Sequence, residues 1–387
     1  MRNEAGAATG NAGRTPAWRH RCERCGHEEP LAVTAWRCPA CGGAFALDGP
    51  NRLDPAAIER DDRGIWRYAS ILPVGREWAR SLGEGLTPLV QGALAGQPVW
   101  FKCDALLPTG SYKDRGAAVL VAHLRRLGRR RVVVDSSGNA AAAMAGYSAA
   151  AGLDCTVYVP ASTSTAKLVQ ARAFGATIVP VIGNREAVAA AAQAAAEGDE
   201  GAFYASHNWH PVFVEGVKTW ALEVWEQLGG RSPALAFVPT GGGSALVGAH
   251  RGFGALGGAL PALVAAQPAA CAPIVAAGPA AEDIAPADPG QTMAEGTRIG
   301  APARSRQILA ALRDSGGWAE AVSEAQIERA LRELWAQGFY VEPTAAVGAA
   351  ACWAFLEREQ RRPGGPIVVL LTGSGLKATE TIGALLG

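Results

Sequence analysis

Three short apolar runs in this chain each end in a Gly/Ser turn. Val132-Val133-Val134 runs into Asp135-Ser136-Ser137-Gly138-Asn139, and an Ala-rich helical stretch follows. Leu235-Ala236-Phe237-Val238 runs into Pro239-Thr240-Gly241-Gly242-Gly243-Ser244. Ile367-Val368-Val369-Leu370 runs into Leu371-Thr372-Gly373-Ser374-Gly375-Leu376-Lys377. Between the first two, Thr156–Val159 precedes a helix at 165–174, and Thr177–Val181 precedes an Ala-rich helix at 185–197. Strands alternating with helices predict an α/β fold with parallel sheets covered on both faces. Ligands in open α/β sheets sit beyond the carboxyl ends of the strands, where all three turns fall.

A fourth turn carries the reactive group. Pro108-Thr109-Gly110-Ser111-Tyr112-Lys113-Asp114-Arg115-Gly116 ends on a lysine and leads into an Ala/Val/Leu-rich helix. The positive end of a helix dipole favours the neutral amine of a lysine placed there. A neutral amine is the nucleophile that Schiff-base chemistry requires. A lone lysine near a helix start is ordinarily a surface group; the three further loops make a site the stronger reading. In the 239–244 turn, consecutive glycines let backbone N–H groups approach a phosphate, and the following helix adds its dipole.

In this order the four segments resemble the fold-type II pyridoxal-phosphate enzymes, most closely the threonine synthase family. The resemblance runs from about residue 82 to the C-terminus. It is supported by Leu82-Gly83-Glu84-Gly85-Leu86-Thr87-Pro88-Leu89, Glu215-Gly216-Val217-Lys218-Thr219, Arg298-Ile299-Gly300 and Val341-Glu342-Pro343-Thr344. It implies two open parallel-sheet α/β domains with pyridoxal 5'-phosphate between them. Lys113 would carry the cofactor and move the α-proton of an amino-acid substrate. Gly241, Gly242, Gly243 and Ser244 would hold the cofactor phosphate, and Asn139 its 3′-oxygen. Thr372 would meet the pyridine nitrogen, with Ser374 as the alternative. A hydroxyl there does not hold the nitrogen protonated, which favours elimination or replacement over transamination. Ser136, Ser137 and Gly138 would grip the substrate carboxylate at a helix N-terminus; the plainer role for Ser136 and Asn139 is helix capping. Glu342 matches a family element near the cofactor.

One position departs from the family. Threonine synthases commonly carry an arginine two residues before the Glu-Gly of this segment, where it helps bind the phosphate of O-phosphohomoserine. This chain has Phe213 there. A phenyl ring cannot replace a bidentate guanidinium. Either Arg115, Lys218 or Arg298 substitutes, or the substrate carries no phosphate. Threonine synthase is therefore weighed against a related lyase or β/γ-replacement enzyme, such as a threonine or serine ammonia-lyase. A non-catalytic zinc-ribbon scaffold is the third reading, and the intact Lys113, Asn139, triple glycine and Thr372 oppose it.

Eight cysteines divide into two sets. Cys22, Cys25, Cys38 and Cys41 form two Cys-x2-Cys knuckles, each followed by glycine, a pattern for structural zinc. Two disulfides are the alternative and suit a cytosolic chain poorly. His27 reads as a bystander. Cys103, Cys155, Cys271 and Cys352 read as buried small hydrophobes. His207, His210 and His250 read as structural. The expected organisation is a disordered tail over 1–20, a zinc ribbon over 21–46, and a large cofactor domain from 47–130 and 206–387. A small mobile α/β domain spans 131–205. Residues 47–80 read as a linker docked through Trp66-Arg67-Tyr68, and 280–290 as a loop. With 49% apolar residues the chain can bury a real core, and a formal net charge of +1 favours neither nucleic acid nor a membrane surface as a partner. No run has the length of a membrane span and the first 20 residues lack a signal-like apolar core, so a cytoplasmic enzyme is expected. By analogy with its family it would be a homodimer.

Overall fold

The computed structural model describes residues 18–32, 35–359 and 364–387. It opens with a small antiparallel sheet of β1 (Arg19–Cys22), β2 (Glu28–Pro30) and β3 (Phe45–Asp48), in the order β2-β1-β3. Two expected boundaries shift here. Strand β1 starts inside the 1–20 segment, because His20 is fully buried and stacks on Phe45 at 4.9 Å. Strand β3 runs past residue 46, because Leu47 is buried too and accepts a hydrogen bond from Arg251 through its carbonyl oxygen. The rest of the expected tail, 1–17, lies outside the described residues.

The body begins with β4 (Leu89–Leu94), β5 (Gln97–Lys102) and helix α1 (Lys113–Arg126). Alternating elements follow: β6 (Arg131–Val134), α2 (Asn139–Ala151), β7 (Asp154–Pro160), α3 (Thr165–Ala173), β8 (Thr177–Val181), α4 (Arg185–Glu197) and β9 (Ala202–Tyr204). Next come α5 (Pro211–Val217), α6 (Thr219–Gln227), β10 (Leu235–Pro239), α7 (Ser244–Ala255) and β11 (Ala262–Pro268). The chain closes with α8 (Pro273–Ala277), α9 (Ser305–Asp314), β12 (Trp318–Val322), α10 (Glu324–Ala336), α11 (Pro343–Arg358), β13 (Ile367–Leu370) and α12 (Thr379–Leu386).

Two sheets result, and both are essentially parallel. Strands β6 to β9 form one, in the order β8-β7-β6-β9. The other has six strands in the order β12-β11-β10-β13-β5-β4, parallel apart from the β4–β5 hairpin. Every residue of β10 and β13 is buried, as expected for central strands covered on both faces. The period of two divides them between two cores. Ala236, Val238, Val368 and Leu370 face one, while Leu235, Phe237, Ile367 and Val369 face the other with α10 and α11.

The expected linker is docked as anticipated. Trp66 and Tyr68 are fully buried; the Trp66 indole donates to Glu84 at 3.0 Å, and Arg67 pairs with Glu226 on α6 at 3.0 Å. Residues 280–290 form no helix or strand. The carboxyl ends of β6, β10 and β13 bring the three Gly/Ser turns to one side of the molecule, where Lys113 also lies.

Candidate active site

Lys113 is the first residue of α1, and its turn is stitched to two other segments. Tyr112 N–H donates to Thr372 O at 3.0 Å, and Ser374 N–H donates to Gly110 O at 2.9 Å. Glu342 N–H donates to Gly373 O at 3.1 Å. Asp114 accepts from Thr109 N–H at 2.7 Å and from the Thr109 hydroxyl, which fixes the loop leading to the lysine.

These segments wall a cavity of about 830 Å³ between the two sheets. Every residue nominated from the sequence for the cofactor or the substrate carboxylate borders it: Lys113, Asn139, Gly241, Gly242, Gly243, Ser244 and Thr372, together with Ser136, Ser137 and Gly138. Ser374 borders it as well. The glycines are required by space. A Cβ on Gly241 would lie 2.8 Å from the Thr297 backbone, and one on Gly242 would lie 2.4 Å from Asn208 Oδ1. Gly243 has φ +87°, a left-handed conformation that side chains rarely adopt. Helix α7 starts at Ser244, so its first N–H groups have no partner within the helix, and its first two residues, Ser244 and Ala245, border the cavity.

The polar groups are left open. Thr372 Oγ1 is buried with no hydrogen-bond partner among the described residues. The Ser374 hydroxyl oxygen, by contrast, accepts from Leu376 N–H at 3.3 Å. Asn139 Nδ2 donates to Glu342 Oε1 at 2.9 Å, so it does not cap its helix. Ser136 Oγ accepts from Gly138 N–H at 3.3 Å, which is the local, cap-like use of that side chain. An orphaned hydroxyl, a glycine cradle at a helix N-terminus and a lysine in one cavity fit pyridoxal phosphate.

Electrostatics add two features. Lys113, Lys167, Arg185, Arg298 and Lys377 border the cavity against the carboxylates Glu295 and Glu342, leaving an excess of positive charge for an anionic ligand. Burial pushes the Glu342 carboxyl up to about 7, against the opposing pull of Lys377, Asn139 and Lys113. Burial likewise lowers the amine of Lys377.

Several residues carry more than their sequence pattern indicated. The Tyr112 hydroxyl accepts from Lys113 Nζ and lies 3.0 Å from Ser244 Oγ, joining the lysine to the glycine cradle. Its place beside Lys113 was the only signal. His207, read as structural, borders the cavity; burial and the Lys113 charge hold its imidazole well below the ordinary histidine range. His210 is buried away from the cavity, and His250 pairs with Asp314 at 3.1 Å. Arg185 and Asn208 had no sequence signal, because their distance from the other site residues along the chain hides their proximity.

Two of the three cations offered as replacements for the missing arginine are locked in buried ion pairs. Arg115 is fully buried and clamps Asp104 through two bonds of 2.8 Å while pairing with Glu223. Lys218 is fully buried and bound to Glu215 at 2.6 Å. Arg298 alone of the three borders the cavity. Phe213 is fully buried, its ring against Gly116 and edge-on to His207 at 5.9 Å.

The sequence of residues 80–373 matches the family model described as pyridoxal-phosphate dependent enzyme. The chain belongs to that family. It is 32% identical to a threonine synthase of Methanocaldococcus jannaschii, over 92% of this chain and 92% of that one. It is 29% identical to a threonine synthase of Methanosarcina acetivorans, over 94% of this chain and 93% of the relative. Maize serine racemase shares the fold, with a TM-score of 0.69 at 22% identity, covering 78% of this chain and 92% of that one. Fold-type II architecture and a pyridoxal-phosphate dependent enzyme are therefore the setting for the cavity.

The second cluster lies in the N-terminal sheet. The thiol sulfurs of Cys22, Cys25, Cys38 and Cys41 all lie within 4.8 Å of one another. Cys22 and Cys41 sulfurs are 3.4 Å apart, and those of Cys25 and Cys38 are 3.6 Å apart. A disulfide needs about 2.0 Å, whereas four sulfurs at zinc-bond length on a tetrahedron stand about 3.8 Å apart. The cluster fits a metal. His27 bonds Glu29 at 3.0 Å and is not part of it. Cys103, Cys155, Cys271 and Cys352 are buried, as expected. Among the described residues, no helix is long and apolar enough to cross a membrane.

Proposed function

We propose that this enzyme is a threonine synthase, converting O-phospho-L-homoserine and water to threonine and phosphate. The observation that carries the reading is the meeting of Lys113, the glycine cradle and the orphaned Thr372 hydroxyl in one cationic cavity. The threonine synthase relatives, similar over nearly the whole chain, give the reaction class.

When bound, pyridoxal phosphate supplies the electron sink that makes protons at the α- and β-carbons removable. Lys113 Nζ would hold the cofactor through its carbonyl and would be the base for the substrate α-proton. The backbone N–H groups of Gly241–Gly243 and the Ser244 hydroxyl would hold the cofactor phosphate. Asn139, oriented by Glu342, would serve the ring 3′-oxygen. Thr372 Oγ1 would serve the pyridine nitrogen, and its lack of a partner among the described residues favours it over Ser374. Ser136, Ser137 and Gly138 receive the substrate carboxylate. Of the three cations considered from the sequence, Arg298 borders the cavity and would take the substrate phosphate, with Arg185 bordering the same cavity.

A second reading is favoured by Phe213. With Arg115 and Lys218 sealed in ion pairs, neither of them can stand in for the phosphate-binding arginine of the family, and Phe213 leaves its position apolar. An elimination or replacement reaction on an unphosphorylated or differently activated amino acid fits that wall. Product analysis after mixing cofactor-loaded enzyme with O-phospho-L-homoserine separates the two. Threonine and phosphate in equal amounts support the first. No turnover by protein with a normal cofactor absorbance band supports the second, to be pursued with threonine, serine and activated homoserine esters.

We further propose that Cys22, Cys25, Cys38 and Cys41 hold one structural zinc, since four thiolates leave no open position. Thiols gathered at metal spacing suit a reducing compartment, hence the cytoplasm. The four-stranded sheet, residues 131–205, would move against the rest as substrate enters, and the enzyme would act as a homodimer. Metal analysis, fractionation, small-angle scattering with and without substrate, and sedimentation test these points in turn.

A further inference from the structure

The ribbon is the one module that the proposed reaction leaves unused, yet it packs against the back of the cavity wall. The contact falls on the short connection from β9 to α5. Trp209 N–H and His210 N–H both donate to Ser206 O, at 3.1 and 2.9 Å, which makes this connection a tight turn. Two of its residues, His207 and Asn208, border the cavity. Asn208 Oδ1 lies directly against Gly242 of the glycine cradle. The next two, Trp209 and His210, meet the ribbon. Trp36 is edge-on to Trp209 at 5.5 Å and to Tyr204 of β9 at 4.8 Å. His20 meets His210 at 5.8 Å. Arg304, fully buried, donates to Phe45 O of the ribbon at 3.1 Å and to Trp209 O of the turn at 2.7 Å. One guanidinium therefore ties the two backbones together.

We propose that the ribbon is a positioning device for the cofactor phosphate. Through Trp36, His20 and Arg304 it holds the His207–Asn208 turn against Gly241–Gly243. The body holds His207 and His210, through Phe213, Phe203 and His123, whereas the ring of Trp209 rests on Trp36 of the ribbon. Asn208 is the next residue along the chain, so a shift of Trp209 on the ribbon side is passed to Asn208 on the cavity side. A cradle binds well only when the groups behind it are held in place. This inference rests on the reading of the cavity as the cofactor site.

The test uses the full-length, metal-loaded protein, stripped of cofactor and titrated with pyridoxal phosphate. Uptake is read from the visible absorbance band and the environment of the phosphate from its phosphorus resonance. Trp36 is only half-buried, so Trp36→Ala removes the seam contact with little risk to folding. It is expected to weaken uptake by roughly three- to ten-fold, the equivalent of losing one or two aromatic pairs, and to shift the resonance. Trp36→Phe should recover most of the affinity. Arg304→Lys, which reaches one carbonyl but not both, should weaken uptake in the same direction. His27→Ala alters a ribbon residue bonded to Glu29 within the ribbon and should bind as the wild type does. Wild-type affinity and an unshifted resonance in Trp36→Ala and Arg304→Lys would overturn the proposal. So would equal weakening by His27→Ala, which would reduce the effect to ribbon stability. A wild-type protein that takes up no pyridoxal phosphate would instead sink the reading of the cavity, and the ribbon's role with it.

Discussion

Lys113 and Arg115 stand two residues apart at the start of α1, and their surroundings are opposite. Arg115 is fully buried in a closed network. It clamps Asp104, bonds both Glu223 oxygens and bonds Thr219 at 3.1 Å, while Lys102 shares Glu223 Oε2 with it at 2.6 Å. Burial alone would raise the Glu223 carboxyl, but Arg115 and Lys102 outweigh it and hold it down at about 2. Lys113, by contrast, borders a cavity whose polar groups are only partly satisfied. Buried polar groups in scaffolds are normally paired. A saturated network is a support, and an unsaturated one is a place prepared for a ligand.

The sharpest break between the two sites is by deletion. Lys113→Ala should abolish turnover and the cofactor absorbance band while changing the unfolding stability of the cofactor-free protein by less than about 0.5 kcal/mol. Arg115→Leu should do the reverse in kind, losing about 3–5 kcal/mol in denaturant unfolding because Asp104 and Glu223 keep buried charges without their partner. Acid should separate them too. The Glu223 carboxyl is depressed in the folded state, so its stabilisation is complete above the ordinary carboxylate value and is lost as the pH falls toward 2. Arg115→Leu should flatten that acid limb.

Glu342 tests the cavity side with the opposite sign. Its folded value is raised to about 7, so the stability it contributes is complete below the ordinary value of 4.5 and is lost as the pH rises through 7. Cofactor-free Glu342→Gln should therefore gain on the wild type between those limits, by up to about 3 kcal/mol at pH 8. Equal pH profiles for the two proteins would contradict the burial argument. Thr372→Val should stabilise the cofactor-free protein by about 1 kcal/mol, because it removes an unpaired buried hydroxyl, and should weaken cofactor binding. A loss of apo stability would mean that the hydroxyl is a support after all. The smallest effect is expected from Tyr112→Phe, which keeps the ring and removes the hydroxyl between Lys113 and Ser244. Cofactor affinity should fall by roughly three-fold, equivalent to one modest hydrogen bond.

Much of the site was legible along the chain because each motif is local. A glycine triplet after an apolar run, a lysine at a helix start and a Ser/Gly turn before an Ala-rich helix each announce their geometry within about six residues of backbone. The helix over 185–197 and the start of α1 at Lys113 fall where the pattern puts them. The two cysteine knuckles are equally local, although the sequence does not show that they close on one another. Boundaries at the ribbon were less legible. His20 and Leu47 are buried only because the body covers them, with His20 against His210 and Leu47 bonded to Arg251.

The chain by itself determined the alternation of strands and helices, the Gly/Ser turns at the carboxyl ends of β6, β10 and β13, and the lysine at the start of α1. Backbone propensity, burial period and helix dipoles act over a few residues, so those features need no distant partner. Tertiary structure decided which cations are free. Arg115, Lys218 and Arg298 are all cations in the sequence, yet two are sealed in ion pairs with Glu223 and Glu215 and the third borders the cavity. It also decided that the ribbon meets the 206–210 turn, across more than 160 residues of sequence between Trp36 and Trp209. Solvation and pairing depend on what the fold brings near, and that is a property of the packed chain rather than of any segment.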